Sequence, residues 1–157
     1  MSTPAAERPL RERVRTGLRW LLTVGMVGIG VLHFARPEPF LAIMPPFIPF
    51  HLAMVFISGA AEIALGIALA PEKTRRWASW GLVALYIAVF PANIYMAVAG
   101  IAPTGEPVPT WAAWGRLPLQ PLLMLLAWWV GRDGLDAASP NAHAGRPGGA
   151  TGAGVSS

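Results

Sequence analysis

Nineteen consecutive residues, LAMVFISGAAEIALGIALA from Leu52 to Ala70, contain a single ionisable side chain, Glu62. A run of that length is matched to hydrocarbon. A bilayer core about 30 Å thick is crossed by about 20 apolar residues in a helix, and a helix satisfies its own backbone polar groups where no water can do so. Three further segments have the same character: Gly17 to Phe34, Trp77 to Ala99 and Trp111 to Val130. The last is the weakest, because its strictly apolar part, Leu117 to Val130, covers only roughly 21 Å at about 1.5 Å per residue, so a full span has to include Arg116. The expected fold is therefore all-α: an integral membrane antiparallel four-helix bundle over residues 17–130, with spans at about 17–34, 52–70, 77–99 and 111–130. A basic segment, 1–16, precedes it. The tail over 131–157, rich in Ala, Gly, Ser and Pro, has little to bury and is expected to be disordered.

Composition agrees, with 54% hydrophobic and 13% charged residues and a mean hydropathy of +0.49, a profile that belongs to membrane proteins. The formal charge of +4 does not point to nucleic acid, because the basic residues flank apolar segments and no nucleic-acid motif accompanies them. The chain has no cysteine. That excludes disulfides, thiolate catalysis, iron–sulfur clusters and CxxC relays, so any redox role needs a bound cofactor or a partner.

Lys and Arg are retained on the cytoplasmic side of a membrane. Ten of them (Arg8, Arg11, Arg13, Arg15 and Arg19 at the first span, Lys73, Arg75 and Arg76 between the second and third, Arg132 and Arg146 after the fourth) fall on one side, and only Arg36 and Arg116 on the other. Both termini are expected to be cytoplasmic, with external loops at 35–51 and 100–110. Tryptophans sit near both ends of the spans, where indoles favour the interface. A cleavable signal in place of the first span is disfavoured, since His33 stands where a small residue is wanted before a cut after Ala35.

Counting about 1.5 Å per residue from each outer helix end puts Glu62 at roughly 15 Å depth, Gln120 at roughly 14 Å, Asn93 at roughly 10 Å and Arg116 at roughly 8 Å, with His33 near the outer surface. Polar groups from all four helices thus fall in the outer half, and the inner half shows nothing comparable. Gly59, Glu62 and Gly66 share a helix face whose small residues permit close approach; that face is expected to turn toward Gln120 and Arg116. An acidic or basic side chain at a helix centre costs roughly 2.5–3.5 kcal/mol, so pairing or protonation is expected for Glu62. Two readings stay open: a ligand site opening outward, or a hydrogen-bonded network that locks the helices. The loop HFARPEPFLAIMPPFIPFH is apolar and rich in proline. Its FLAIM segment suits a short interfacial helix, either covering the outer mouth or resting in the headgroups. Pro91 beside Asn93 is expected to kink the third span. His33 and His51, without helical pairing, make no metal site.

These motifs (GVLHFARPEPF at 30–40, IMPPFIP at 43–49, SGAAEIALG at 58–66, VFPANIYMA at 89–97 and RLPLQPLLM at 116–124) make the chain resemble the DoxX-like family of small four-helix membrane proteins, in its bacterial branch. The positions that carry the resemblance are His33, Pro37, Pro45, Pro46, Glu62, Pro91, Asn93, Arg116, Pro118 and Gln120. It implies a multi-pass protein of the bacterial inner membrane. Some relatives are associated with thiosulfate-to-quinone electron transfer or with membrane-bound oxidoreductase assemblies, and no catalytic mechanism comes with the likeness. No hydride, metal or nucleophile machinery is visible. The expected role is a non-autonomous membrane subunit or binding protein, a quinone being the example of its ligand, in contact with membrane lipid, an oxidoreductase partner subunit or further copies of itself. His33, Glu62, Asn93, Arg116 and Gln120 are the candidate contacts. A proton-linked transporter or an assembly protein are the alternatives.

Overall fold

Proline and glycine set where the helices start, stop and touch. The computed structural model describes residues 10–102 and 106–132; the first nine residues and the tail from 133, on which the expectation of disorder falls, lie outside the described residues. Six helices follow in order: α1 (Leu10–Ala35), α2 (Glu38–Ala42), α3 (His51–Leu69), α4 (Glu72–Ala99), α5 (Thr110–Gly115) and α6 (Leu119–Val130). Among the described residues the only β pairing is an isolated bridge between Ile101 and Pro107. Three helices, α1, α3 and α4, are long and apolar enough to cross a membrane.

Two of them overrun the apolar segments. α1 is helical from Leu10, the first described residue, and RERVR, a run of good helix formers, carries the helix upstream of the apolar stretch. α4 begins directly after Pro71, whose missing N–H costs nothing at a helix start. The turn between α3 and α4 is tied by the polar residues of α4: the Thr74 hydroxyl donates to the Ala68 carbonyl at 2.7 Å and the Arg75 guanidinium to the Ala70 carbonyl at 3.2 Å, so the last carbonyls of α3 are not left bare. At its far end α4 stops on Gly100 in the left-handed conformation (φ 65°), with the Ile101 N–H returning to the Met96 carbonyl at 3.2 Å, the glycine-terminated cap expected of that geometry.

The segment expected as one span over 111–130 is two helices. Pro118 and Pro121 cannot donate to the carbonyls four residues earlier, those of Trp114 and Leu117. Both carbonyls are instead taken three residues on, by the Leu117 N–H at 3.1 Å and the Gln120 N–H at 3.2 Å. The chain tightens into a turn over 116–118 and α6 keeps 12 residues, roughly 18 Å.

α1 packs on α3, α3 on α4, α4 on α6, and α6 back on α1, while α2 lies on α3 and α5 on α4. Leu22, Met26, Leu69, Leu82, Ala127 and Val130 form the core between them, and large apolar side chains such as Leu21, Ile57, Ile87 and Leu125 face outward, as a hydrocarbon solvent permits.

The α1–α3 contact is the tightest of these seams. A Cβ on Gly30 would lie 2.7 Å from the Gly59 carbonyl oxygen, and one on Gly59 would lie 2.5 Å from the His33 Cβ. Gly28, by contrast, has open space around it. Gly59→Ala is therefore expected to destabilise the protein by about 1–3 kcal/mol through overpacking, whereas Gly28→Ala is expected to be neutral or to stabilise by up to about 1 kcal/mol. Thermal unfolding of the purified variants in one detergent checks this, and equal melting temperatures for the two would contradict the close seam.

Candidate functional site

The glycine seam decides what Glu62 meets. Gly30 and His33 on α1, and Gly59 and Glu62 on α3, are each three residues apart, so close approach at the glycines places the two polar side chains against each other. The His33 Nδ1 stands 3.3 Å from the Glu62 Oε2 and 2.9 Å from the Ile29 carbonyl oxygen one turn back in α1. A carbonyl only accepts, so the 2.9 Å contact assigns a proton to Nδ1 and directs it at Ile29. The Glu62 Oε2 is thus near the ring without a hydrogen bond from it, and it is buried with no hydrogen-bond partner. Both residues are more than nine-tenths buried.

An aromatic ring lies on the histidine of this pair. The ring of Phe40, in α2, stacks on His33 with centroids 3.6 Å apart and planes 22° from parallel. The loop that carries it is fixed at its other end, where the His51 Nε2 lies 3.2 Å from the Pro45 carbonyl oxygen and Phe50 adopts the left-handed conformation (φ 54°). That conformation is strained for an aromatic residue. The interfacial helix expected in FLAIM forms two residues earlier, over EPFLA, with its Phe40 ring on His33 of α1.

A second polar group lies on the other seam. The Asn93 Nδ2 donates to the Gln120 Oε1 at 2.9 Å, and the Gln120 Nε2 donates to the Tyr86 carbonyl at 2.7 Å. That carbonyl is next to Ile87, whose own carbonyl loses its donor to Pro91, yet α4 runs through the proline as one helix. The Tyr86 hydroxyl crosses to α1 and donates to the Met26 Sδ at 3.2 Å.

Arg116 is apart from both groups. It is exposed, in the turn between α5 and α6, and its Nη1 donates to the Met96 Sδ at 3.3 Å. The expected face-to-face arrangement of Glu62 with Gln120 and Arg116 is therefore not what forms. Glu62 meets His33, Gln120 meets Asn93, and Arg116 borders an open cleft of about 340 Å³ with Val108, Trp111 and the small residues of α5.

Tyr86, Phe40, Arg15 and Arg19 were not singled out as interior participants from sequence. Tyr86 is seven residues from Asn93 and thus on its face, a readable signal. Phe40 lies in a loop, where spacing carries no contact information. Arg15 and Arg19, counted only as topological charges, are buried on the α1 face that continues through Leu22, Met26, Gly30 and His33, and Thr23 is buried beside them, so the end expected to lack interior polar groups has them.

These features define an all-helical protein built on membrane-length apolar helices, with a buried His–Glu contact beneath a loop helix. The chain belongs to the family described as Domain of unknown function (DUF8561), whose family model matches residues 22–131. No curated protein and no solved structure matches it.

If Phe40 is the cover, Phe40→Ala should raise the rate at which His33 reacts with diethyl pyrocarbonate severalfold, with His51 in the same protein as the reference. Peptide mass spectrometry gives both rates, and an unchanged ratio would show that the ring does not shield the pair.

Proposed function

We propose that the chain is a multi-pass protein of a bacterial inner membrane, folded as an antiparallel four-helix bundle in which α5 and α6 together make the fourth member. Both termini are cytoplasmic, and its role is that of a DoxX-like membrane subunit or binding protein for a lipophilic molecule with a hydroxyl-bearing head group, a quinol being the example. The observation that carries this reading is the Glu62 Oε2, buried and without a donor. Leaving such an oxygen unsatisfied costs about 1–3 kcal/mol or more, a penalty that a ligand hydroxyl removes. With its Nδ1 proton directed at Ile29, a neutral His33 ring also offers Nε2 as an acceptor. Two acceptors side by side select a donor-bearing head group, and the stacked Phe40 has to move for it to enter.

With no cysteine in the chain, electron transfer from such a ligand goes through a bound cofactor or a partner subunit. In the Asn93–Gln120–Tyr86 chain both ends of the Gln120 amide are engaged, and its role in this reading is to hold α4 to α6. The bias of ten basic residues to two supports the orientation.

Lipid extracted from purified protein and analysed by mass spectrometry is expected to contain one such molecule per chain. Glu62→Leu should reduce it at least about tenfold, the effect of losing one hydrogen bond to a charged or desolvated group, and Glu62→Gln, which keeps one acceptor, should fall between. Retention at the wild-type level by a folded Glu62→Leu variant would overturn the ligand assignment. Orientation is tested separately. In this cysteine-free chain, Ser2→Cys is expected to be shielded from an impermeant maleimide added to intact cells and Phe47→Cys to be labelled; the reverse pattern would invert the topology.

A further inference from the structure

We propose that the cleft at the α5–α6 break is a second binding site, for an anionic phospholipid of the surrounding leaflet, with Arg116 on its phosphate and the apolar wall along its acyl chain. This rests on the chain being membrane-embedded and is independent of the ligand assigned to Glu62. The cleft runs along α5 from Val108 to Arg116, the first residue of the turn that separates α5 from α6. Its volume, about 340 Å³, is within the range of about 300–1,000 Å³ that holds small ligands. Ala112, Ala113 and Gly115 leave its wall shallow, and a Cβ built on Gly115 meets nothing within 4 Å.

One charge borders this apolar surface. The Arg116 guanidinium has five N–H donors, and its hydrogen bond goes to a thioether, the Met96 Sδ, a weak acceptor. No carboxylate among the described residues pairs with it. Trp111 and Trp114 flank it with exposed indoles, the side chains that settle at headgroup level, and that is the depth of lipid phosphates. A guanidinium matches a phosphate with two parallel hydrogen bonds, while the groove beside it receives a chain. Inorganic phosphate shares the anion and lacks the chain, so the two sources separate by experiment.

Native mass spectrometry of the purified full chain, titrated with phosphatidylglycerol or phosphatidylcholine, tests the site. The wild type is expected to bind one phosphatidylglycerol roughly tenfold more tightly than phosphatidylcholine, the gain from one charge-assisted pair. Arg116→Gln should erase that preference, and Gly115→Leu should weaken binding of both lipids with the charge intact. Arg36→Gln, at the other basic residue of this end, and Glu62→Leu should leave it unchanged. An undiminished preference in Arg116→Gln, undiminished binding in Gly115→Leu, or no preference in the wild type would overturn the proposal. So would displacement of the lipid by excess inorganic phosphate, which would show a site for small anions. Loss of the preference in Arg36→Gln would overturn it too, as a diffuse charge effect.

Discussion

The backbone-to-backbone approach of α1 and α3 is the contact from which the rest of the interior follows. At Gly30 and Gly59 no side chain separates the helices, and a Cβ at either would be in collision with the facing chain. Gly66 continues the seam toward the other end, against Met26 and Thr23. Helices in contact over that length have a fixed relative rotation. His33 and Glu62, each one turn from its glycine, are committed to each other, and the opposite face of α1 is turned away from α3. Small residues are favoured for this purpose in apolar surroundings, where lipid gives no hydrophobic incentive for helices to associate and packing has to supply it.

Proline acts on the other half of the molecule by withholding donors. Pro118 and Pro121 break the fourth apolar segment and leave two of its carbonyls to three-residue turns, while Pro91 leaves α4 continuous but short of one backbone bond near Tyr86. Gln120 is at the junction of both effects. It is the second residue of the helix after the break, its backbone N–H serves the Leu117 carbonyl, and its side chain serves Tyr86 and receives Asn93. The polar residue is therefore needed where the prolines have disturbed the ladder, which explains why this group is satisfied internally while Glu62, on a seam built from glycine, is not.

Much of this was legible in the sequence, and the failures have a common cause. Apolar length identified the three long helices because composition alone decides that question. Rise per residue gives each polar residue a level along its helix and says nothing of its partner, because counting along an axis gives no azimuth: Glu62 meets His33, Gln120 meets Asn93, and Arg116 lies exposed in the turn between α5 and α6. The spacing Gly30–His33 repeats the spacing Gly59–Glu62, and this matched pair was the available signal for the contact that forms. The break at 116–118 was carried by two prolines three apart, outweighed in a reading by length. Phe40 had no periodic signal at all, since a loop ring finds its partner through the path of the whole loop. Arg15 and Arg19 were hidden by their charge, which explained them as topology before their helical spacing was considered.

The two ends of the helix set are closed by different chemistry, and that difference decides which end can open. At the end bearing most of the basic residues, Leu69 and Val130 are fully buried, the Arg15 guanidinium lies 5.0 Å over the ring of Trp129, and Arg132 lies 4.3 Å over that of Trp128. Each such contact adds about 0.5–2 kcal/mol, and Arg15 joins α1 to α6 directly. Opening this end would expose core and separate helices. At the other end one ring on a five-residue helix stacks on His33, the neighbour of Glu62, carried by a loop that enters α3 through a strained residue. Displacing α2 leaves the four-way packing of α1, α3, α4 and α6 intact. Local opening on the Phe40 side is therefore separable from global unfolding.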